Sequence, residues 1–168
     1  LLAVKHPGLL TITVPRHPER GPGMEAACAR LGLSVARRAT GTPLTPETSV
    51  YVADTMGELG LMYRAAELVF IGKSLTVGGG QNPAEPALLG CALIFGPDMS
   101  NFRDTAAMLL SAGGAVQVSD VSGLAGAVDA LLTDAGRRAR MGAAAKAAIA
   151  AHSSALDDTW DALAGFIE

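Results

Sequence analysis

Short apolar runs alternate with stretches that carry apolar residues at three-to-four spacing. Residues 9–14 are apolar and β-branched and stop at Pro15, which predicts a buried strand. Residues 18–31 predict a helix entered through Pro18 and closed by Gly32. Residues 34–37 predict a second short strand, followed by a loop rich in Thr, Pro and Gly at 40–48. Further strands are predicted at 50–53, 68–71, 92–95 and 115–118, with helices at 57–66, 83–89 and 101–112 between them. From Val121 onward everything reads as helix: 121–132, an Ala-rich 135–151 with Arg137, Arg138 and Arg140 on a solvated face, and 153–167 with Trp160.

Strand–helix alternation with short connections implies right-handed βαβ units. The expected fold is α/β, a doubly wound parallel six-stranded sheet of Rossmann-like type ordered 3-2-1-4-5-6. Residues 1–168 read as a single domain, with no internal repeat and no linker. The start at Leu1, without Met and in what reads as the end of a helix, gives the expectation of a piece of a longer protein.

Composition narrows this further. Aromatics are 4% while Ala and Gly abound, which suits close helix–sheet packing. A net charge of -3 leaves no basic footprint for nucleic acid. No apolar run is long enough to span a bilayer. Cys28 and Cys91 read as packing residues of a reducing compartment.

Ligands of such sheets bind beyond the carboxyl ends of the strands. Four punctuated segments fall there: Pro15-Arg16-His17-Pro18, Asp54-Thr55-Met56-Gly57-Glu58, the glycine loop at 72–81, and Gly96-Pro97. The glycine loop runs into a helix start, where N–H groups hold anions, but it matches neither a dinucleotide fingerprint nor a Walker loop. Asn82 is either a plain helix cap or a ligand contact, and Glu85 either complements the helix dipole or accepts two hydrogen bonds from ribose hydroxyls. Arg16 suits a bidentate phosphate or carboxylate contact, with a surface ion pair as the bland reading. His17 reads as a hydrogen-bonded loop residue. Asp54 and Glu58 read as a helix cap and a first-turn carboxylate rather than an acid–base pair. Met56, Met62 and Met108 read as core. No nucleophile elbow, Cys–His pair or Asp-x-Asp metal motif is present, so neither covalent catalysis nor a metal-held diphosphate is expected, and no cofactor is called for.

Taken together, four strings resemble one family. They are Val14-Pro15-Arg16-His17-Pro18-Glu19-Arg20; Val50-Tyr51-Val52-Ala53-Asp54-Thr55-Met56-Gly57-Glu58-Leu59-Gly60; Gly72-Lys73-Ser74-Leu75 leading into Gly79-Gly80-Gln81-Asn82-Pro83-Ala84-Glu85-Pro86-Ala87; and Gly96-Pro97 with Asn101-Phe102. They resemble the 3-deoxy-D-manno-octulosonic acid (Kdo) transferases of lipopolysaccharide synthesis. The resemblance implies the carboxyl-terminal, donor-binding domain of a two-domain GT-B glycosyltransferase. It implies an inverting transfer of Kdo from CMP-Kdo to a lipid A precursor at the cytoplasmic face of the bacterial inner membrane. The catalytic carboxylate, the membrane anchor and much of the acceptor site would lie in the amino-terminal domain.

On this reading the donor is held by Arg16, the backbone of Met56-Gly57 and of Gly79-Gly80, Asn82 and Glu85. Pro15, His17, Glu58, Gln81 and Asn101 are weaker candidates. Gln81 stands where the family commonly has His, and Val77-Gly78 where it often has Pro-Arg. Two rivals stay open: a UDP-sugar transferase or epimerase of similar architecture, and a Rossmann-like binding module without enzymatic activity.

Overall fold

The computed structural model describes residues 2–164. In chain order its elements are α1 (Leu2–Lys5), β1 (Thr11–Thr13), α2 (Gly21–Arg30), β2 (Val35–Arg37), β3 (Val50–Val52), α3 (Leu59–Ala65), β4 (Leu68–Phe70), α4 (Ala84–Leu88), β5 (Ala92–Phe95), α5 (Arg103–Ser111), β6 (Ala115–Gln117), α6 (Val121–Thr133) and α7 (Ala135–Ala164). Single 3₁₀ turns, Pro18–Arg20 and Ser100–Phe102, lead into α2 and α5. The chain packs as two compact units, Leu1–Met62 and Tyr63–Glu168.

The expected six-stranded ladder is not observed. The strands pair in two three-stranded parallel sheets, β1-β3-β2 and β4-β5-β6. The order expected for the first half is also corrected, because β3 and not β2 lies between its neighbours. Burial explains this. Val50, Tyr51 and Val52 are all buried, as a strand covered on both sides and both faces must be, whereas β1 and β2 each keep residues half open. Ala36, Tyr51, Ala53 and Met62 form the core of this unit, with Ile12 packed against them.

In the second unit β5 is central, and all four of its residues are buried. Successive side chains point to opposite faces. Leu93 and Phe95 therefore join one cluster with Ile71, Leu109 and Ile149, while Ala92 and Ile94 join another with Val118, Leu131 and Met141. α6 is capped by Asp120, whose carboxylate accepts Gly123 N–H at 2.8 Å, and it turns Leu124, Ala127, Val128 and Leu131 to the second cluster. α7 comes so near the sheet that a Cβ on Gly142 would lie 2.0 Å from the Gly90 carbonyl oxygen.

The expected break between helices near His152 does not occur, and α7 runs on to Ala164. Residues 143–164 contain neither Gly nor Pro, and Ala dominates them, so nothing local stops the helix. Ile167 lies outside the described residues. The solvated reading of the Arg137–Arg140 stretch is corrected at Arg138, which is half buried and donates to Glu67 at 2.8 Å and to the Leu131 carbonyl at 2.6 Å. Among the described residues no helix is long and apolar enough to cross a membrane.

Candidate functional site

In the first unit β2 and β3 run parallel with Arg37 opposite Val52, so the residues just beyond them meet. Asp54 is buried there. It receives Arg37 Nε on Oδ2 at 2.5 Å and Ala39 N–H on Oδ1 at 2.9 Å, while Arg37 Nη1 also donates to Glu25 at 3.1 Å. Arg38 grips Glu58 with two donors, Nε to Oε2 at 2.7 Å and Nη2 to Oε1, and Thr55 Oγ1 donates to the same carboxylate. Two-point guanidinium–carboxylate contacts fix direction as well as charge.

Burial opposes ionisation of Asp54, but Ala39 N–H and Arg37 outweigh it and hold the carboxyl below its ordinary range. Glu58 is lowered to about 2 by its hydrogen bonds from Arg38 and Thr55.

These contacts correct the capping assignments. Asp54 bonds across the sheet instead of to α3, and α3 starts only at Leu59, after Glu58. Arg37 and Arg38 were not singled out from the sequence. The available signal was two adjacent cations ending one strand and two carboxylates following another.

Of the candidates in this unit, Arg16 and His17 are exposed and Pro15 is half buried. His17 Nδ1 lies 3.7 Å from Glu19. Met56 is 76% exposed, which corrects its assignment to the core, while Met62 is buried as expected. Gly57 has φ +81°, a conformation other residues seldom adopt.

In the second unit the glycine loop folds against the loop that follows β5. Gly78 and Gly79 both donate their N–H groups to Asp98 Oδ2, at 2.8 and 2.9 Å. Asp98 Oδ1 accepts from Ser100, from its N–H at 3.2 Å and its hydroxyl at 2.8 Å. Asn101 N–H returns a bond to the Gly79 carbonyl at 3.0 Å. Gly80 N–H goes to Lys73 and Gln81 N–H to Gly72, each at 3.1 Å. Those backbone N–H donations lower the Asp98 carboxyl far below its ordinary value.

Backbone donation to a ligand, expected of Gly79 and Gly80, is thus spent inside the protein. What these residues supply is a tight buried turn. Gly79 has φ +76°, and a Cβ there would stand 2.3 Å from Asn101 Nδ2; on Gly80 it would stand 2.4 Å from Met99 Sδ.

The turn delivers Gln81, half buried, and then Asn82 and Glu85, both exposed. Asn82 precedes the N-cap Pro83 instead of occupying the cap itself, and its Oδ1 accepts Ala84 N–H, the first of α4, at 2.9 Å. The Tyr63 phenol is pushed up by burial and secondarily by the charge of Glu85.

Asn101 belongs to the clasp around the glycine loop. Asp98 was missed from the sequence because its glycine partners lie 19 and 20 residues away, and the bond that gives Ser74 its role was not legible because Gly96 lies 22 residues away. Cys91 is buried, with its thiol raised by that burial and within 3.3 Å of the Tyr63 and Ala66 carbonyls. Cys28 is only half buried, and both cysteines are free.

No family model matches the chain. It is 37% identical over 158 residues to the 3-deoxy-D-manno-octulosonic acid transferase of Bordetella pertussis, covering 94% of this chain and 37% of that protein. It is 35% identical over 168 residues to the enzyme of the same name from Haemophilus influenzae, covering 99% of this chain and 39% of that protein. A probable mitochondrial 3-deoxy-D-manno-octulosonic acid transferase of Arabidopsis thaliana is 38% identical over 138 residues. The chain therefore spans under two fifths of the length of these relatives.

Among solved structures it is similar to the C-terminal CMP-Kdo binding domain of WaaA from Acinetobacter baumannii, with TM-score 0.83 and 31% identity over 88% of this chain and 77% of that one. Likeness in sequence and in fold thus agree over most of a single solved domain, and the chain belongs to the Kdo transferase family.

Proposed function

We propose that this chain binds CMP-Kdo and acts as the donor-binding, carboxyl-terminal domain of a GT-B glycosyltransferase. The parent enzyme transfers Kdo with inversion to a lipid A precursor in lipopolysaccharide synthesis, at the cytoplasmic face of the bacterial inner membrane. Membrane contact, the catalytic carboxylate and most acceptor contacts come from the amino-terminal domain.

The observation that carries this reading is the held turn Gly78–Gly80 leading directly into an exposed Asn82 and Glu85. Likeness to the Acinetobacter CMP-Kdo binding domain supports it. In the second unit, Glu85 offers two carboxylate oxygens to the ribose hydroxyls, and the Asn82 amide donates nearby. In the first unit, Arg16 offers a guanidinium to the phosphate, and the Met56-Gly57 turn offers backbone N–H groups.

Departure of CMP leaves charge on its phosphate, and cations and N–H groups fixed in advance stabilise that charge. Pro15 stiffens the Arg16 loop, His17 and Gln81 offer further hydrogen bonds, and Glu58 and Asn101 hold their loops through Arg38 and Gly79.

The test is Glu85→Ala in the full-length enzyme. Loss of charged hydrogen bonds is expected to raise KM for CMP-Kdo roughly tenfold or more. Unchanged donor binding and turnover would remove Glu85 from the ribose.

A further inference from the structure

We propose that Asp98 is a positioning residue for the donor loop, buckling Gly78 and Gly79 to the loop after β5 so that Asn82 and Glu85 are presented in fixed geometry. This rests on the donor-binding reading above and assigns the means by which that site is kept in shape.

A run of three glycines has more conformational freedom to lose than any other sequence. Left to itself, the segment 78–80 would wander, and the residues it delivers would wander with it. The structure shows what stops this. One carboxylate oxygen takes two successive N–H groups, at 2.8 and 2.9 Å, as a concave run of backbone donors accepts an anion.

Asp98 is itself held at side chain and backbone. Ser100 gives Oδ1 its N–H and its hydroxyl, and Asp98 N–H donates to the Ser74 carbonyl at 2.9 Å. Ser74 is fully buried, with its hydroxyl bonded to the Ile71 carbonyl at 2.5 Å and accepting Gly96 N–H at 2.7 Å. The buckle is thus anchored in the ends of β4 and β5. A second strap, Asn101 N–H to the Gly79 carbonyl, closes it from the other side.

Because both Asp98 oxygens are occupied within the protein, the carboxylate acts on donor through the loop and not by touching it. Asn82 lies only two residues beyond Gly80, and its side chain is bonded to Ala84 N–H at the start of α4, so a shift of the turn carries Glu85 with it. Ordering the loop before the donor arrives saves the ordering cost at binding, which appears in affinity and little in the chemical step.

The experiment uses the full-length enzyme with Asp98→Ala and Asp98→Asn, measuring amide hydrogen exchange along the loop together with KM for CMP-Kdo and kcat. Asp98→Ala is expected to speed exchange at Gly78 and Gly79 and to raise the donor KM about tenfold, with kcat changed about threefold or less. Asp98→Asn keeps an oxygen for the glycines and is expected to fall between wild type and Asp98→Ala. Exchange at Leu93 and Ile94 reports that the fold is intact. Should Asp98→Ala fail to fold, Asp98→Asn decides against wild type alone, by faster exchange at Gly78 and Gly79 together with a raised donor KM.

Loop exchange and donor KM at wild-type values in both variants would overturn the proposal. A wild-type enzyme in which CMP-Kdo leaves exchange at 81–85 unaltered would instead overturn the donor-binding reading. The nucleotide-free exchange comparison would still decide whether Asp98 holds the loop.

Discussion

Gly96 and Ser74 meet almost backbone to backbone: Gly96 N–H donates to Ser74 Oγ at 2.7 Å, and a Cβ on Gly96 would stand 2.2 Å from the Ser74 carbonyl oxygen. The contact ties the end of β5 to the start of the glycine loop, and the obstructing atom is backbone, which has little room to give. Gly96→Ala is therefore expected to destabilise the second unit by about 1–3 kcal/mol. Ser74→Ala, which strands a buried N–H, is expected to cost about 1–3 kcal/mol. Urea unfolding midpoints of the 168-residue chain check both; midpoints equal to wild type would mean the junction is slack.

The carboxylates of the first unit give a pH signature. Glu58 ionises at about 2 in the folded chain, against an ordinary value of 4.5, through its bonds from Arg38 and Thr55. A lowered folded value means stability that is fully present above 4.5 and is lost as pH falls through about 2. Asp54, also lowered, acts with the same sign below its ordinary value of 3.8. Wild type is expected to exceed Glu58→Gln in stability at pH 6, with the gap closing between pH 4.5 and about 2. A gap independent of pH would remove the Arg38–Glu58 pair from the account.

Phe95 is fully buried at the centre of the second sheet. Phe95→Ala is expected to cost about 3–5 kcal/mol, measured by the same unfolding midpoints. A loss below about 1 kcal/mol would show that the cluster around Leu109 and Ile149 collapses to fill the space.

Arg16 carries the proposed phosphate contact of the first unit. Arg16→Ala in the full-length enzyme is expected to raise the donor KM roughly tenfold or more, and Arg16→Lys to recover little, because an ammonium cannot reproduce a two-point contact. Full recovery by Lys would reduce Arg16 to a diffuse charge.

Much of this was legible locally. β5 occupies 92–95 as expected, because four apolar residues lie between Gly90-Cys91 and Gly96-Pro97. The helix start near Pro83 was legible too, one residue out: Pro83 and not Asn82 stands at the N-cap of α4, and Asn82 reaches the helix through Ala84 N–H. Strand order was not legible. Nothing within Val50–Val52 states that it pairs on both sides, and the choice is made by burial contributed from distant segments.

The charge clusters were hidden for the same reason. Asp54 looks like a cap because capping is local, yet its partner Arg37 is 17 residues away. The glycine N–H groups looked available to a ligand because Asp98, 19 and 20 residues on, cannot be seen from the loop.

The central claim is that this chain carries a site for a cytidine monophosphate donor. Its most direct test is calorimetric titration of the full-length enzyme with CMP and with UDP, repeated with Glu85→Ala to assign the site to this domain. The expected result is one CMP site at least about tenfold tighter than for UDP, weakened by Glu85→Ala. UDP binding as tightly as CMP, or CMP affinity indifferent to Glu85, would contradict it.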